Sequence, residues 1–417
     1  MITWSALTVA ANLATAVATP SSPSKKVSFD EAIGLSVQTP DVQGTERAVA
    51  EKHDMRGRIS TMTSNPQLYL QPGVRIAPTP NQGVEVQASV MQSWNLAGLS
   101  SARTTTARLE EETLSAQSRA LALTQRLEAA RTWIDLWTAE RILEVTTQEA
   151  ALAGDFVRLV EKAASASAST KADLADARAY HAEARLSVIA AEGEVLERGL
   201  LLARSLATGS EALGSSGNLP SAPAVVETNR KAALQKVTNL PAVQSKALEV
   251  EVERARSAEE KAARGTSLSL GVYLQRDSPG GFVTYGAMGL TFPLFDRGER
   301  ERSVTVARAA QLEGEKKRET ANAAVDLALG FHEIDHTQEV VDTMATAMIP
   351  ALEEALASRM RIFEAGEATI LEVITARRNL VNARGRLERA RAQNAWARVK
   401  VWLWLSVLDA KKQEKAQ

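Results

Sequence analysis

The chain contains no cysteine. That excludes disulfides, thiolate nucleophiles, cysteine-ligated metal centres and a lipid carried on an N-terminal cysteine. It leaves the compartment open, because a periplasmic protein can also lack cysteine. Aromatic residues are scarce, at 4%. A compact enzyme core rich in Phe and Tyr is therefore disfavoured. Abundant Ala, Leu, Glu and Arg fit long helices packed through small and aliphatic side chains. Neither charge sign dominates: 49 Lys and Arg stand against 50 Asp and Glu, for a net charge of −1. No basic surface for nucleic acid follows from that balance. Long apolar runs are missing too. None approaches the ~18 residues that a membrane-spanning helix needs.

What is present is a duplication. The second half of the chain replays the first at a spacing of roughly 200 residues. Glu31-Ala32-Ile33 and Thr39-Pro40-Asp41-Val42-Gln43 return as Ala232-Ala233-Leu234 and Leu240-Pro241-Ala242-Val243-Gln244. Trp94-Asn95-Leu96-Ala97-Gly98 matches Leu294-Phe295-Asp296-Arg297-Gly298. Thr170-Lys171-Ala172-Asp173-Leu174 matches Thr369-Ile370-Leu371-Glu372-Val373. Each copy reads as a helix, two short strands and two very long helices.

The strands show in the period. Leu68, Leu70, Val74 and Ile76 alternate with Gln67, Tyr69, Gln71 and Arg75, and a turn follows at Pro78–Gly83. The return strand places Val84, Val86, Ala88, Val90 and Trp94 on one face and Glu85, Gln87, Ser89 and Ser93 on the other. In the second copy Leu268, Leu270, Val272 and Leu274 alternate with Ser267, Ser269, Gly271, Tyr273 and Gln275. After Ser278-Pro279-Gly280-Gly281 the chain returns with Met288, Leu290 and Phe292 on one face. These are period-two hairpins. Strands of roughly 10 residues suit either a half-buried soluble hairpin or a tilted bilayer crossing. A polar second face is what a water-filled lumen needs. Four strands in one chain leave open edges, which lipid does not tolerate, so closure requires several chains.

The helices that follow are long. About Ser101 to Lys162 holds no proline, and some 60 residues span on the order of 90 Å. Leu109, Leu114, Leu121, Ile134, Leu136 and Val145 recur along a coiled-coil-like seam. The second copy, from about Glu299 to Glu364, contains Pro350, which is expected to kink or interrupt it. Breaks at Ala163–Thr170 and Ala365–Thr369 precede return helices to about Leu206 and Leu408. A single helix with Pro40 inside it is expected from Phe29 to about Thr63. Trp133, Trp137, Trp402 and Trp404 read as core or inter-helix packing.

The expected organisation is a signal or leader with a tether at 1–26 and a first repeat at 27–207, with its β-hairpin at about 66–94 and its helical hairpin at about 101–206. A Gly-, Ser- and Pro-rich linker occupies 208–223. The second repeat follows at 224–408, with hairpins at about 266–293 and about 299–408, before a tail at 409–417. Met1 to Ala18 is moderately apolar and ends in Ala16-Val17-Ala18, as a secretory signal does, but lacks a leading Lys or Arg.

In order and motif, from Phe29 to Leu408, the chain resembles the TolC-type outer-membrane efflux channels. Gly289-Leu290-Thr291-Phe292-Pro293-Leu294-Phe295-Asp296-Arg297-Gly298 matches the family's junction between return strand and long helix. Phe363-Glu364-Ala365-Gly366-Glu367-Ala368-Thr369-Ile370-Leu371-Glu372-Val373 matches its tip motif. The first copy departs from it, with Ala164 in place of the tip glycine. The resemblance implies a mainly helical fold with a small β part. It further implies a homotrimer whose twelve-stranded barrel sits in outer-membrane lipid and continues as a helical tunnel into the periplasm. The function implied is a passive exit duct for efflux or secretion, fed by an inner-membrane pump through a periplasmic adaptor, with no enzymatic activity and no cofactor.

The resemblance also nominates residues. Glu372 matches an acidic position ringing the periplasmic entrance, and Asp173 is its first-repeat equivalent; Thr375 stands where a second acidic layer would be. Three symmetry-related carboxylates in a narrow pore favour cations and repel one another. Both residues also suit solvated helix positions, Asp173 near a helix start where acids are favoured. Gly366 and Thr369 fit a turn and a helix N-cap. With Glu367, and with Ser165, Ser167 and Thr170 of the other tip, they are the candidates for adaptor docking. Among the alternatives, a periplasmic coiled-coil adaptor is disfavoured, because adaptors flank one helical hairpin with a lipoyl-like domain. A zinc metalloprotease rests on His332-Glu333-Ile334-Asp335-His336, an H-E-x-x-H match. Its third ligand is not evident: the only other histidines are His53 and His181.

Overall fold

The computed structural model describes residues 25–60, 62, 64–76, 78, 83–166, 169–221, 230–277 and 281–414, with side chains to Leu408 in the last helix. The leader at 1–24 and most of both β-turns lie outside the described residues. Strand β1 (Lys25–Ser28) runs directly into helix α1 (Phe29–Ser36), and α2 (Pro40–Gly57) follows. The single helix expected here is therefore two, and it stops short of Thr63. Proline disfavours helical backbone in the residue before it, and Thr39 sits extended at φ −63°, ψ 150°. Pro40 then opens α2, where a missing N–H costs nothing.

Strands β2 (Gln67–Arg75) and β3 (Gly83–Asn95) form the first hairpin. Helices α3 (Leu99–Ser165) and α4 (Lys171–Ser205) form the first helical hairpin. Strand β4 (Leu213–Ser216) comes next. The second copy opens with α5 (Arg230–Gln235), a 3-10 turn and α6 (Pro241–Ala263), which begins on Pro241 after an extended Leu240. Strands β5 (Ser267–Asp277) and β6 (Gly281–Thr291) form the second hairpin. Helix α7 (Glu299–Thr343), a π-helical turn at Met344–Met348 and α8 (Ile349–Glu364) correspond to α3, and α9 (Ile370–Glu414) corresponds to α4. Pro350 causes the interruption expected of it. Proline lacks an N–H and clashes with the carbonyl one turn back. The wider turn, in which the N–H of Ile349 bonds the carbonyl of Met344, opens room for it.

The two halves share their junction glycine. Gly98 and Gly298 both take positive φ, +80° and +73°, immediately before α3 and α7. Each is held by an acceptor side chain upstream. Asn95 Oδ1 accepts from the N–H groups of Ala97 and Leu99, and Asp296 Oδ1 accepts from the N–H of Gly298.

The chain divides into two compact units. The first holds the described residues to Ala32, Ala129–Leu219 and Glu339–Gln393. The second holds Ile33–Glu128, Pro220–Gln338 and the chain from Asn394 onward. In the first unit, β4 pairs in parallel with β1, Lys25 opposite Leu213 and Ser28 opposite Ser216. The tether and linker read from composition thus each contribute a strand. Helix α3 holds both in place. Trp133 Nε1 donates to the Val27 carbonyl at 2.8 Å, and Trp137 Nε1 to that of Gly217 at 3.2 Å. The Glu140 carboxylate accepts from the Ser215 N–H and hydroxyl. Positions i, i+4 and i+7 share one helix face, and that face satisfies strand groups that no wider sheet supplies. Phe29 meets Trp133 edge-on, ring centroids 5.5 Å apart.

The core of the second unit gathers Leu327, Phe331 and Ile334 of α7 with Val237, Leu240, Val243, Ala397 and Val401, and Trp402 and Trp404 pack against it. The same unit carries the four-stranded antiparallel sheet, in the order β2-β3-β5-β6.

Candidate functional site

Two features organise the candidate site: the hairpin tips in the first unit and the sheet in the second. At the first tip, Thr170 caps α4. Its hydroxyl accepts from the Asp173 N–H at 3.1 Å, and the Asp173 carboxylate accepts from the Thr170 N–H at 2.8 Å. This is a capping box, in which two orphan helix donors are satisfied reciprocally. The Thr170 backbone and hydroxyl hold the Asp173 carboxyl below its usual value; partial burial opposes them, and the Ser169 hydroxyl adds a smaller lowering. Asp173 is thus spent locally on the cap.

The second tip is built on the same plan with other partners. Helix α8 ends in Gly366, at φ +79°. Gly366 N–H bonds the Phe363 carbonyl, and Glu367 N–H bonds that of Ile362. That pair of bonds is a Schellman stop, and it places the left-handed residue where glycine costs least. Thr369 accepts weakly from the Glu372 N–H, at 3.4 Å. The Glu372 carboxylate meets the Thr369 hydroxyl and forms an ion pair with Arg359 of α8. Gly366, Glu367, Thr369, Ser165 and Thr170 are all exposed, and the Ser165 hydroxyl bonds back to the Lys162 carbonyl. Ser167 lies outside the described residues.

Behind the tips is a shared core. Phe156, Val157, Val160, Ala177 and Tyr180 pack with Ile370, Val373 and Ile374, and Leu356, Met360 and Phe363 close over them. Within it Tyr180 donates to Glu149 Oε1 at 2.6 Å, and Arg377 approaches the same carboxylate at 3.7 Å. Burial, then the Glu149 carboxylate, pushes the Tyr180 hydroxyl far above its usual pKa, so it stays a donor at any physiological pH. Arg377 also lies over the Phe156 ring. The sequence reading missed Glu149, Tyr180, Arg359 and Arg377. A Thr-x-x-Asp/Glu spacing at both tips was the signal available for the caps; nothing local marks Arg359 or Arg377.

The sheet separates its two faces by register. Directly opposed residues share a face. Leu68, Val90 and Val272 form one row; Leu70, Ala88 and Leu274 a second; Leu270 and Met288 belong to a third. Most of these side chains are open, Met288 at 77% and Ile76, beyond the end of β2, at 89%. The opposite face carries Gln67, Tyr69, Gln71, Gln87, Ser89, Ser93, Ser269, Tyr273, Gln275 and Tyr285. Among the described residues β2 and β6 each have one neighbour, so both outer edges of the sheet are unpaired.

His332 and His336 sit on an exposed face of α7 with their rings stacked 6.0 Å apart. The carboxylates beside them are engaged. Asp335 takes both guanidinium nitrogens of Arg230, at 2.5 and 2.6 Å, and Glu333 faces Lys400 at 3.7 Å. The Arg230 fork holds the Asp335 carboxyl below its usual value. His53 pairs with Glu111, and the His181 ring lies against Gly154. Among the described residues no group of three or more His, Cys, Asp or Glu could hold a metal ion.

The fold defined by these elements is that of bacterial outer-membrane channels. OprN, solved as an outer-membrane channel, matches at a TM-score of 0.77 and 15% identity over 90% of this chain and 89% of its own. CusC, whose structures describe transmembrane channel formation, matches at 0.73 and 16% over 91% of each chain. The CmeC outer-membrane channel of Campylobacter jejuni matches at 0.69 and 15%, over 93% of this chain and 89% of its own. No protein-family model and no curated protein matches the sequence. At these identities the likeness is one of fold.

Proposed function

We propose that this chain is a subunit of an outer-membrane efflux or secretion channel of the TolC type. The observation that carries the reading is the sheet: one face is mainly apolar and open, with Gln92, Arg276 and Thr284 its polar members, the other is mainly polar, and both edges are unpaired among the described residues. In water that combination is costly, since the exposed apolar rows gain nothing and the edges invite pairing. In a bilayer each part has a use. The apolar rows meet lipid, the polar face lines a lumen, and edge pairing with further copies satisfies the last backbone groups. Three copies close a twelve-stranded barrel, as the resemblance implies. No helix among the described residues is long and apolar enough to cross a membrane. In this reading the crossing is made by the sheet, on the strength of its two unlike faces and unpaired edges.

The duct carries out no chemistry in this reading. It takes cargo from an inner-membrane pump through a periplasmic adaptor. The adaptor's helical hairpins would meet the exposed tips at Gly366, Glu367 and Thr369 and at Ser165, Ser167 and Thr170. Asp173 and Glu372 are the candidate pore residues, each with a local task as well. Supporting this is the structural likeness to solved channels over nine-tenths of the chain. Membrane fractionation and planar-bilayer recording test it together. The expected result is an outer-membrane protein that runs as a heat-resistant trimer in detergent and conducts ions. A soluble monomer without β-sheet signal would end the proposal.

A further inference from the structure

Three of the chain's four tyrosines stand in one row of the sheet. Tyr69 is opposite Ser89, Ser89 opposite Tyr273, and Tyr273 opposite Tyr285. The row crosses all four strands on the polar face. Tyr273 and Tyr285 stack with centroids 5.0 Å apart and planes 2° from parallel. Ser89, between Tyr69 and Tyr273, is only 4% exposed, whereas Tyr69 is 45% and Tyr285 42% exposed. The rings therefore cover the small residue and offer their own surfaces outward.

The row is held in place by the neighbouring rows of the same face. Tyr273 donates its hydroxyl to Met91 Sδ at 3.1 Å. Met91 occupies space that only a glycine leaves: a Cβ on Gly271 would come within 2.8 Å of Met91 Cγ and 3.6 Å of the Tyr273 ring. Tyr69 donates to Gln67 Oε1, and Gln87 Nε2 reaches the Tyr285 hydroxyl at 3.5 Å. Nothing in the row carries a charge. The nearest ion pair on this face, Arg75 with Glu85 at 2.6 Å, balances itself. Only Tyr180, in the core behind the tips, lies away from this level.

We propose that this row is a contact site for cargo, and that its ligands are organic cations bearing aromatic rings. The inference rests on the channel reading above: three chains would repeat the row around the lumen as a belt of nine tyrosines. Flat π-surfaces stack on aromatic rings, and their negative faces attract cations, most strongly those that are weakly hydrated. Small hydrated metal ions gain little from such a surface. The belt thus assigns a substrate preference to a duct that otherwise binds weakly.

Single-channel recording of the full-length protein in planar bilayers tests this, with tetraphenylphosphonium as the aromatic cation and tetramethylammonium as its non-aromatic control. Tetraphenylphosphonium should interrupt the current at concentrations at which tetramethylammonium does not. The triple variant Tyr69→Ser, Tyr273→Ser, Tyr285→Ser should weaken that block about tenfold, and the triple Phe variant should keep it. If the Ser variant does not assemble, Tyr69→Ser alone, at an open position, should still weaken block about twofold. Normal conductance with undiminished block in the Ser variants would overturn the inference and leave the channel reading intact. So would equal loss in the Phe variant, which would assign the effect to hydroxyls. Absence of any conductance from wild-type trimers would overturn the channel reading and the inference with it.

Discussion

The two halves of the chain follow one order of elements, and the positions where they differ separate what that order requires from what is particular to each half. Both keep the positive-φ glycine at the strand-to-helix junction, Gly98 and Gly298, and both open their second helix on a proline after an extended residue. Those are backbone demands. The long helices diverge. Helix α3 runs unbroken for 67 residues, while its counterpart is interrupted before Pro350 by a π turn. The tips diverge too. The first is capped by its own Thr170 and Asp173; the second takes its acidic residue across to Arg359. Backbone geometry at the junctions is thus held in common, while helix continuity and side-chain partnerships are particular to each copy.

The sharpest break should come from the feature that only the first repeat has. Trp133 is fully buried and carries the β1 carbonyl bond. Trp133→Ala should cost about 4 kcal/mol, combining a large cavity with an orphaned carbonyl. Trp404, half-buried against the other unit's core, should lose less than half as much on the same change. Thermal unfolding of the detergent-solubilised protein, followed by circular dichroism, reads both. Equal losses would mean that the β1–β4 clamp adds nothing.

Gly366 and Gly314 make the next pair. Neither would bring an added Cβ near any other atom. Gly366 takes φ +79°, so Gly366→Ala should destabilise the second tip by about 1 kcal/mol. Gly314 lies inside α7, and Gly314→Ala should stabilise by about 0.5 kcal/mol. Hydrogen exchange at the tip and along α7 would register opposite signs.

Much of this was legible beforehand, for reasons that the elements make plain. The hairpins announced themselves because their faces differ, and the period-two alternation of Leu68 to Val74 survives into the register. The long helices announced themselves by length. What stayed hidden was satisfied by distant side chains. Leu213–Ser216 has no alternation to read, since its partners are β1 and Glu140, and Gly217 just after it is held by Trp137, all 75 residues or more away in sequence. The helix expected across Pro40 failed on a local rule that was available. At the tips, Thr369 and Gly366 were readable from turn chemistry, whereas Arg359 as the partner of Glu372 was not, because ion pairs between helices leave no spacing signature. The tyrosine row was invisible for the same reason: Tyr69 and Tyr285 come together only once the strands are in register.

The first tip should respond to acid as a capping box does. The Asp173 carboxyl titrates below its ordinary value of 3.8 because the Thr170 N–H and hydroxyl bond its charged form. Its contribution is therefore complete above the ordinary value and is lost as pH falls through the lowered one. Pepsin digestion between about pH 4 and pH 2 should nick the start of α4 increasingly as the box opens. Asp173→Asn should show that cleavage already at the upper end, at a cost of about 1 kcal/mol to the cap. A cleavage rate there that does not change with pH would place the stability of the tip in the core beneath it.

The smallest effect is expected at the pair that most distinguishes the second tip. Arg359 and Glu372 are each about half exposed, and an open ion pair yields little once solvent screening and side-chain ordering are counted. A double-mutant cycle of Arg359→Ala and Glu372→Gln should give a coupling of roughly 0.5 kcal/mol, falling further with added salt. Thr369→Ala should cost about as much, because its bond to the Glu372 N–H is already long at 3.4 Å. Were the coupling instead above about 2 kcal/mol and insensitive to salt, the pair would have to be buried in the assembled protein. The tips would then differ in what covers them as well as in their own partners, and the second would be the one held against a neighbouring chain.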